Sequence, residues 1–298
     1  HWRNYTRVII ASAKLSEDGY RRNQEVFGVL DYFPGSNMPL DSLTKTIIFL
    51  REAVGYGIAR DLQPGPAVKR WLALLDRVSE DARKWGQSGI EISSGFSLRP
   101  VFVIPTQKKS ALQIMQDVWP DSRPATDAFV TSPFFDPSSE RNKPASELWA
   151  VLRKRGDASI TFQVTAEAIP GEKELLIHAP QYLLIEQPKG RNGVKTIFNR
   201  LVERDPFSDS TGDHRPIHLK TLWIENETWA SCLIGSSNFT SAGLGLKSAN
   251  LEANLLYIVN TTRANEVYDA LTLSYLEGEE LPEDEVARAR WEIRDEES

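Results

Sequence analysis

One pattern occurs twice in the chain and constrains the fold more than any other feature. Near the start, Arg7-Val-Ile-Ile-Ala-Ser-Ala-Lys-Leu-Ser16 is an apolar run that ends in small and polar residues. Asn23-Gln-Glu25 and a second apolar run, Val26 to Leu30, follow it. Near the end, Ser231-Cys-Leu-Ile-Gly-Ser-Ser-Asn-Phe-Thr240 is followed by Asn250-Leu-Glu252 and the apolar run Ala253 to Tyr257. Each copy reads as strand, tight turn, loop, Asn-x-Glu and strand. The copies are a domain-sized stretch apart, not one short solenoid period. The pattern predicts two related halves: residues 1–126 as the C-terminal part of the first, and residues 127–298 as a complete second. The segment that would precede Thr6, by analogy with the stretch before Ser231, is expected upstream of His1, so the first half reads as truncated.

The remaining runs fill in an α/β pattern. Thr6–Leu15 reads as a buried strand. Pro39–Gly57 reads as a helix capped by Asp41, and Gly65–Gly86 as an amphipathic helix with Leu72, Leu74, Leu75 and Val78 inward. Further helices are expected around residues 108–119, 146–156 and 264–278. Strands are expected at residues 28–33, 99–106, 127–136 (ending in a proline turn), 159–166, 174–180, 220–224, 230–238 and 250–259. Alternating strands and helices predict helices covering a sheet. The acidic tail reads as solvated.

Composition narrows the function classes. With 298 residues and 41% hydrophobic content, the chain can bury a sizeable core. No apolar run is long enough to cross a bilayer, so no stable membrane insertion is expected. The single Cys232 excludes an internal disulfide framework and a cysteine zinc cluster, and reads as a buried small hydrophobe. No targeting signal is visible, which fits a cytoplasmic or nuclear protein. A net charge of -6 gives no global basic field for nucleic acid, so any such contact must be local. The basic stretch Lys189–Arg200 reads as a solvated loop, with a phosphate-backbone contact as the sharper alternative. Trp223 and Trp229 are candidates to flank a substrate.

The chemistry concentrates between Ile217 and Gly243. On a strand, His218 and Lys220 share a face, while Leu219 points to the core. An imidazole beside an ammonium suits a phosphate: one moves protons or attacks phosphorus, the other offsets charge on oxygen. The next apolar run ends in Gly235-Ser-Ser-Asn238. That turn can offer amides, the Ser236 hydroxyl and the uncharged Asn238 amide to an anion. In the first copy the matching residues are Ser12 and Lys14. No acidic metal cluster accompanies these residues, so the expected chemistry needs no metal and no cofactor.

His218-x-Lys220 followed by Gly235-Ser236-x-Asn238 resembles the His-Lys-Asp signature of the phospholipase D superfamily. The resemblance implies an α/β/α sandwich of two pseudo-twofold halves that share one site. It implies that one histidine attacks phosphorus to form a phosphohistidine, while the other protonates the leaving group and then activates water. Lys220 and Asn238 would bind phosphate oxygens, with Ser236, Ser12 and Lys14 as further substrate contacts. Glu252 and Glu25 would brace histidine rings. The family aspartate, five residues after the lysine, is here Glu225. The spacing of twenty residues from His218 to Asn238 resembles the tyrosyl-DNA phosphodiesterase branch and bacterial phospholipase-D-like nucleases. His1 is no partner motif: it lies ten positions before Ala11, against seventeen between His218 and Gly235. The resemblance implies a phosphodiesterase acting on nucleic acid, DNA rather than RNA. A phospholipid phosphodiesterase or transphosphatidylase is the runner-up, and a phosphate-binding module without turnover is the third reading. Within this chain alone, a complete site would need a homodimer donating two copies of His218.

Overall fold

The computed structural model describes residues 1–13, 16, 19, 22–57, 65–85, 95–137, 141–152, 156–201, 216–272 and 278–294. In chain order it begins with strands β1 (Thr6–Ala11) and β2 (Phe27–Tyr32) and helices α1 (Leu40–Gly57) and α2 (Pro66–Arg83). Then come β3 (Phe96–Val103), α3 (Ala111–Asp117), β4 (Asp127–Thr131), α4 (Lys143–Val151), β5 (Ser159–Val164), β6 (Ala166–Ala168), β7 (Leu175–Ile177), α5 (Tyr182–Ile185) and β8 (Lys195–Arg200). The chain continues through β9 (Thr221–Glu225), β10 (Trp229–Gly235), β11 (Glu252–Asn260), α6 (Asn265–Thr272), β12 (Glu279–Glu280), α7 (Glu283–Arg288) and β13 (Arg290–Trp291).

Eight strands form one mixed sheet in the order β12-β8-β5-β4-β9-β10-β11-β3. The β4, β5 and β8 strands are parallel, and from β4 across to β3 every neighbour is antiparallel. The sheet is covered on both faces, so its central strands are apolar on both sides. Val130, Phe162, Leu222, Leu233 and Leu256 pack on one face with α3 and α4. Trp223, Cys232, Ile234 and Leu255 pack on the other face with β1, β2, α1 and α2. Cys232 is buried and unoxidised. The α2 helix buries Leu75, Val78 and Ala82, a helical spacing of three and four. The fold is the layered α/β arrangement that the alternating runs predict.

The strand pair β1–β2 is a separate two-stranded sheet laid over β10–β11. Its inward residues include Ile10, Leu30 and Tyr32, while Ile9 and Phe27 face outward at 60% and 66% exposure. Tyr32 is fully buried, and its hydroxyl meets Ser42 Oγ at 2.6 Å, which ties β2 to the start of α1. Burial pushes that phenol up to about 12. The two sheets approach most closely at Gly28. A Cβ there would stand 2.3 Å from Leu255 Cδ1 and 2.9 Å from the Tyr257 hydroxyl.

Three expectations change. β3 and α3 fall within residues 1–126, yet β3 pairs with β11 over eight residues and α3 packs under the large sheet. Hydrogen bonding and burial tie both to the second half. Asp41 is not the cap of α1. The helix already begins at Leu40, and Asp41 sits in its first turn, paired with Lys45 at 2.6 Å. The tail is not wholly solvated: Leu281 and Val286 are buried in the core, and β13 pairs in parallel with β7. Sparse apolar residues among acids suffice for this because each lands on the sheet side.

Replacing Gly28 by Val should cost about 1–3 kcal/mol through overpacking between the sheets. Adding Leu255→Ala in the same chain should give a loss smaller than the sum of the two single losses. Urea denaturation of the three variants measures this, and strict additivity would show that the sheets do not meet there.

Candidate active site

The candidate residues lie toward one end of the sheet because several strands start or stop there. β10 runs toward that side and stops at Gly235, while β9 and β11 start there, after Lys220 and at Glu252. Gly235 has φ +150, and a Cβ on it would stand 2.4 Å from the Ala253 carbonyl, so the turn into Ser236 requires glycine. Asn238 is buried in that turn, and its carbonyl accepts from the Thr240 amide at 2.8 Å.

The two copies of the repeated pattern make the same hydrogen bonds. In the first copy the Ser12 amide donates to the Val26 carbonyl at 2.9 Å and the Val26 amide donates back to Ser12 Oγ at 3.0 Å. The Ser12 hydroxyl donates to Glu25, and the Asn23 side chain donates to the same carboxylate at 3.4 Å. In the second copy the Ser236 amide donates to the Ala253 carbonyl at 3.1 Å, and the Ala253 amide returns a bond to Ser236 Oγ at 2.9 Å. The Ser236 hydroxyl donates to Glu252 at 2.5 Å and the Asn250 side chain to Glu252 at 3.2 Å. In each copy a serine hydroxyl both closes the turn and holds a glutamate.

His218 sits where one copy reaches across to the other. It precedes β9, on an extended segment that is not itself part of the large sheet. Ile217 pairs in parallel with Gln24, and the His218 amide donates to the Gln24 carbonyl at 3.0 Å. The next residue of the first copy, Glu25, then meets His218 Nδ1 at 2.7 Å. Burial opposes ionisation of Glu25. Hydrogen bonds from His218 and Ser12, with the charges of His218 and Lys220, outweigh it and hold the carboxyl below the usual glutamate range. A carboxylate at this distance favours the proton on Nδ1.

Lys220 is buried beside the imidazole. Its ammonium donates to the His218 carbonyl at 2.7 Å and lies 3.1 Å from Nδ1 and 3.3 Å from Nε2. Leu219 points the other way, into an apolar cluster with Ile217 and Leu201. The same-face expectation for His218 and Lys220 therefore holds although the segment is not a regular strand. Lys220 also lines a buried cavity of about 10 Å³ with Ser237 and Phe239, the residues on either side of Asn238.

Phe134, which the sequence reading did not single out, completes the wall. Its ring meets the His218 ring edge-on, with centroids 5.9 Å apart, and the Lys220 ammonium lies 6.0 Å from its centroid. A phenylalanine in an apolar run carries no sequence signal that separates it from core.

Other candidates lie elsewhere. Trp223 is buried under β1–β2, and its indole donates to Glu225 at 2.9 Å. Glu225 itself stands at the far end of β9. Burial raises its carboxyl, against hydrogen bonds from Trp223 and Tyr268. Trp229 opens β10 at that same far end. The basic stretch Lys189–Arg200 is not a loop throughout, because Lys195–Arg200 forms β8 of the large sheet; the part before β8 lies at the far end, where Gly193 packs against Gly156 and Asp157. His1 bonds to Thr6 and Asp81, and His178 to Glu167. Lys14 and His214 lie outside the described residues. Among the described residues no group of three or more His, Cys, Asp or Glu could hold a metal ion, and no helix is long and apolar enough to cross a membrane.

No protein-family model and no curated protein sequence matches the chain at a significant level. Among solved structures it is similar to the yeast tyrosyl-DNA phosphodiesterase, with 14% identity and a TM-score of 0.47 over 88% of this chain and 66% of that one. It is also similar to phosphatidylserine synthase from Haemophilus influenzae Rd KW20, with 13% identity and a TM-score of 0.45 over 92% of this chain and 61% of that one. The chain thus spans less than two thirds of either structure. These likenesses are distant, and the functional reading rests on the site's own geometry.

Glu25→Gln should remove a charged hydrogen-bond acceptor worth about 1–3 kcal/mol at pH 7. A carboxyl held below its usual range stabilises the fold above that range, and this contribution is lost as the pH falls through the folded value. The difference between wild type and Glu25→Gln should therefore shrink in acid, below pH about 4. Urea denaturation at neutral and acid pH measures it. A difference independent of pH would mean that Glu25 is not the ionised partner of His218.

Proposed function

We propose that this chain belongs to the phospholipase D superfamily and is part of a phosphodiesterase acting on nucleic acid. The observation that carries the reading is the contact of Glu25 with His218. An acid from one copy of a repeated hydrogen-bonding pattern orients the imidazole delivered by the other, beside a buried lysine. A site built across an internal repeat suits chemistry that needs two histidines in turn.

The repeat also supports a division into two halves, with the boundary between Trp85 and Gly95 because β3 belongs to the large sheet. In the second half, β9 pairs along the edge of β10 opposite β11. A strand placed on β1 in the same way would bring a second His-x-Lys to Glu252, as Glu25 meets His218. The outward face of β1–β2, with Ile9 and Phe27, corresponds to the face of β10–β11 that α3 and α4 cover. With β1–β2 in the twofold-related place, the reading needs no homodimer.

In the proposed sequence the second histidine attacks phosphorus through a ring nitrogen, and the bond from phosphorus to the leaving oxygen breaks. His218 gives its Nε2 proton to that oxygen. It then takes a proton from water, which attacks phosphorus and breaks the phosphorus–nitrogen bond. Glu25 keeps Nδ1 protonated throughout, so that Nε2 is the nitrogen that exchanges. Lys220, the Asn238 amide and the Ser236 turn offset charge on the phosphate oxygens. Nucleic acid is preferred over phospholipid because of the spacing from His218 to Asn238, and DNA is the polymer that spacing favours. On this reading the protein works in the cytoplasm or nucleus and needs no metal.

In the full-length protein, His218→Ala should slow cleavage of an oligonucleotide by roughly 10²- to 10⁴-fold, the range of general acid–base catalysis. The loss should be smallest for substrates with good leaving groups, and EDTA should leave the wild-type rate unchanged. His218→Asn should accumulate a phosphoryl adduct on a different histidine, read by mass spectrometry. An adduct on His218 itself in an otherwise active protein would reverse the roles.

A further inference from the structure

A phosphate has no use for an aromatic wall, yet Phe134 is held as one. The loop that carries it, from the end of β4 toward α4, is pinned on both sides. Before it, Ser132 Oγ donates to the Phe134 carbonyl at 2.7 Å and accepts from the Phe239 amide at 2.9 Å. After it, Phe135 pairs in parallel with Phe239, and its buried ring packs edge-on against the Phe239 ring at 6.2 Å. Then the Asp136 carboxylate accepts from the Ser241 amide at 2.9 and 3.0 Å and from its hydroxyl at 2.6 Å. The loop is thereby fastened to the same turn that presents Asn238.

The two adjacent phenylalanines have different fates. Phe135 fills the core, whereas Phe134 remains half-exposed. One part of its ring is engaged by His218 and Lys220. Holding a large apolar ring half in water is unfavourable for the free protein. A flat apolar group arriving beside the phosphate would cover it.

We propose that Phe134 is a specificity-determining residue: its ring stacks on a nucleobase attached to the phosphate held by Lys220, His218 and the Asn238 turn. The inference rests on the phosphate-site reading above and narrows its substrate class to nucleotide phosphodiesters. The pinned loop fixes the platform before the ligand arrives, so little ordering cost opposes the stack. Base stacking on an aromatic side chain tolerates any base, so Phe134 selects for a nucleotide but not for a sequence.

The test is equilibrium binding of two probes, inorganic phosphate and thymidine 5′-monophosphate, to full-length wild type, Phe134→Ala and Phe134→Trp. Wild type should bind the nucleotide more tightly than phosphate. Phe134→Ala should weaken the nucleotide by about 5- to 150-fold, the span of one base–aromatic stack, and leave phosphate within about twofold. Phe134→Trp should keep the preference. Equal loss of both probes in Phe134→Ala would overturn the proposal, because the ring would then act only by bracing His218 and Lys220. A wild type that binds phosphate but gains nothing from the nucleoside also overturns it and leaves the phosphate site standing. Should wild type bind the nucleotide without any competition from phosphate, and Lys220→Ala not weaken it, the phosphate-site reading fails and the proposal with it. Thermal denaturation of each variant checks that the loop change leaves the fold intact, and Phe134→Leu supplies a second ringless variant with the same expected loss if Phe134→Ala does not fold.

Discussion

The site depends on one contact, the hydrogen bond between Glu25 and His218. A histidine on an extended segment has no intrinsic reason to hold one ring orientation. Here a carboxylate of lowered pKa fixes the Nδ1 proton, and the backbone pairing of Ile217 with Gln24 fixes the chain that carries the ring. Both restraints come from the segment that leads into β2 of the separate β1–β2 sheet. That sheet is in turn positioned by packing on β10–β11, where any side chain at Gly28 would press on the ends of Leu255 and Tyr257. Sheet packing, acid placement and imidazole orientation thus form one chain of dependence, from the apolar core to the His218 ring.

The repeated hydrogen-bond pattern explains why the two glutamates stand where they do. Ser12 and Ser236 each accept a backbone amide and donate to a carboxylate, so each serine couples turn geometry to acid position. In the first copy the acid reaches His218. Neither His1 nor His178 stands against Glu252, since both bond to residues elsewhere.

Much of this was legible in the sequence. The turn at Gly235 and the shared face of His218 and Lys220 follow from local geometry, which short motifs encode; the bond from Ser236 to Glu252 was not foreseen, since Ser236 was expected to contact substrate. The likeness of the segments around Ser12 and Ser236 was visible for the same reason. What the sequence hid depends on contacts between distant segments. Glu25 could be marked as a brace, but its ring could be found only once the two sheets were stacked. Phe134 and Phe135 are indistinguishable as letters, and only the loop's anchors separate the wall from the core. The strand β3 precedes the second half in sequence but pairs with β11, because an edge of the large sheet was open to it. Leu281 and Val286 look isolated in an acidic tail, yet each finds the core.

The state of the His218 ring tests the dependence of the site on Glu25 most directly. Nitrogen-15 chemical shifts of the imidazole, in wild type and in Glu25→Ala, report which nitrogen carries the proton in the neutral ring. The structure predicts the Nδ1–H tautomer in wild type, with Nε2 the nitrogen that gains and loses the proton, and loss of that preference in Glu25→Ala. An Nε2–H tautomer in wild type, or shifts that do not respond to Glu25→Ala, would contradict it.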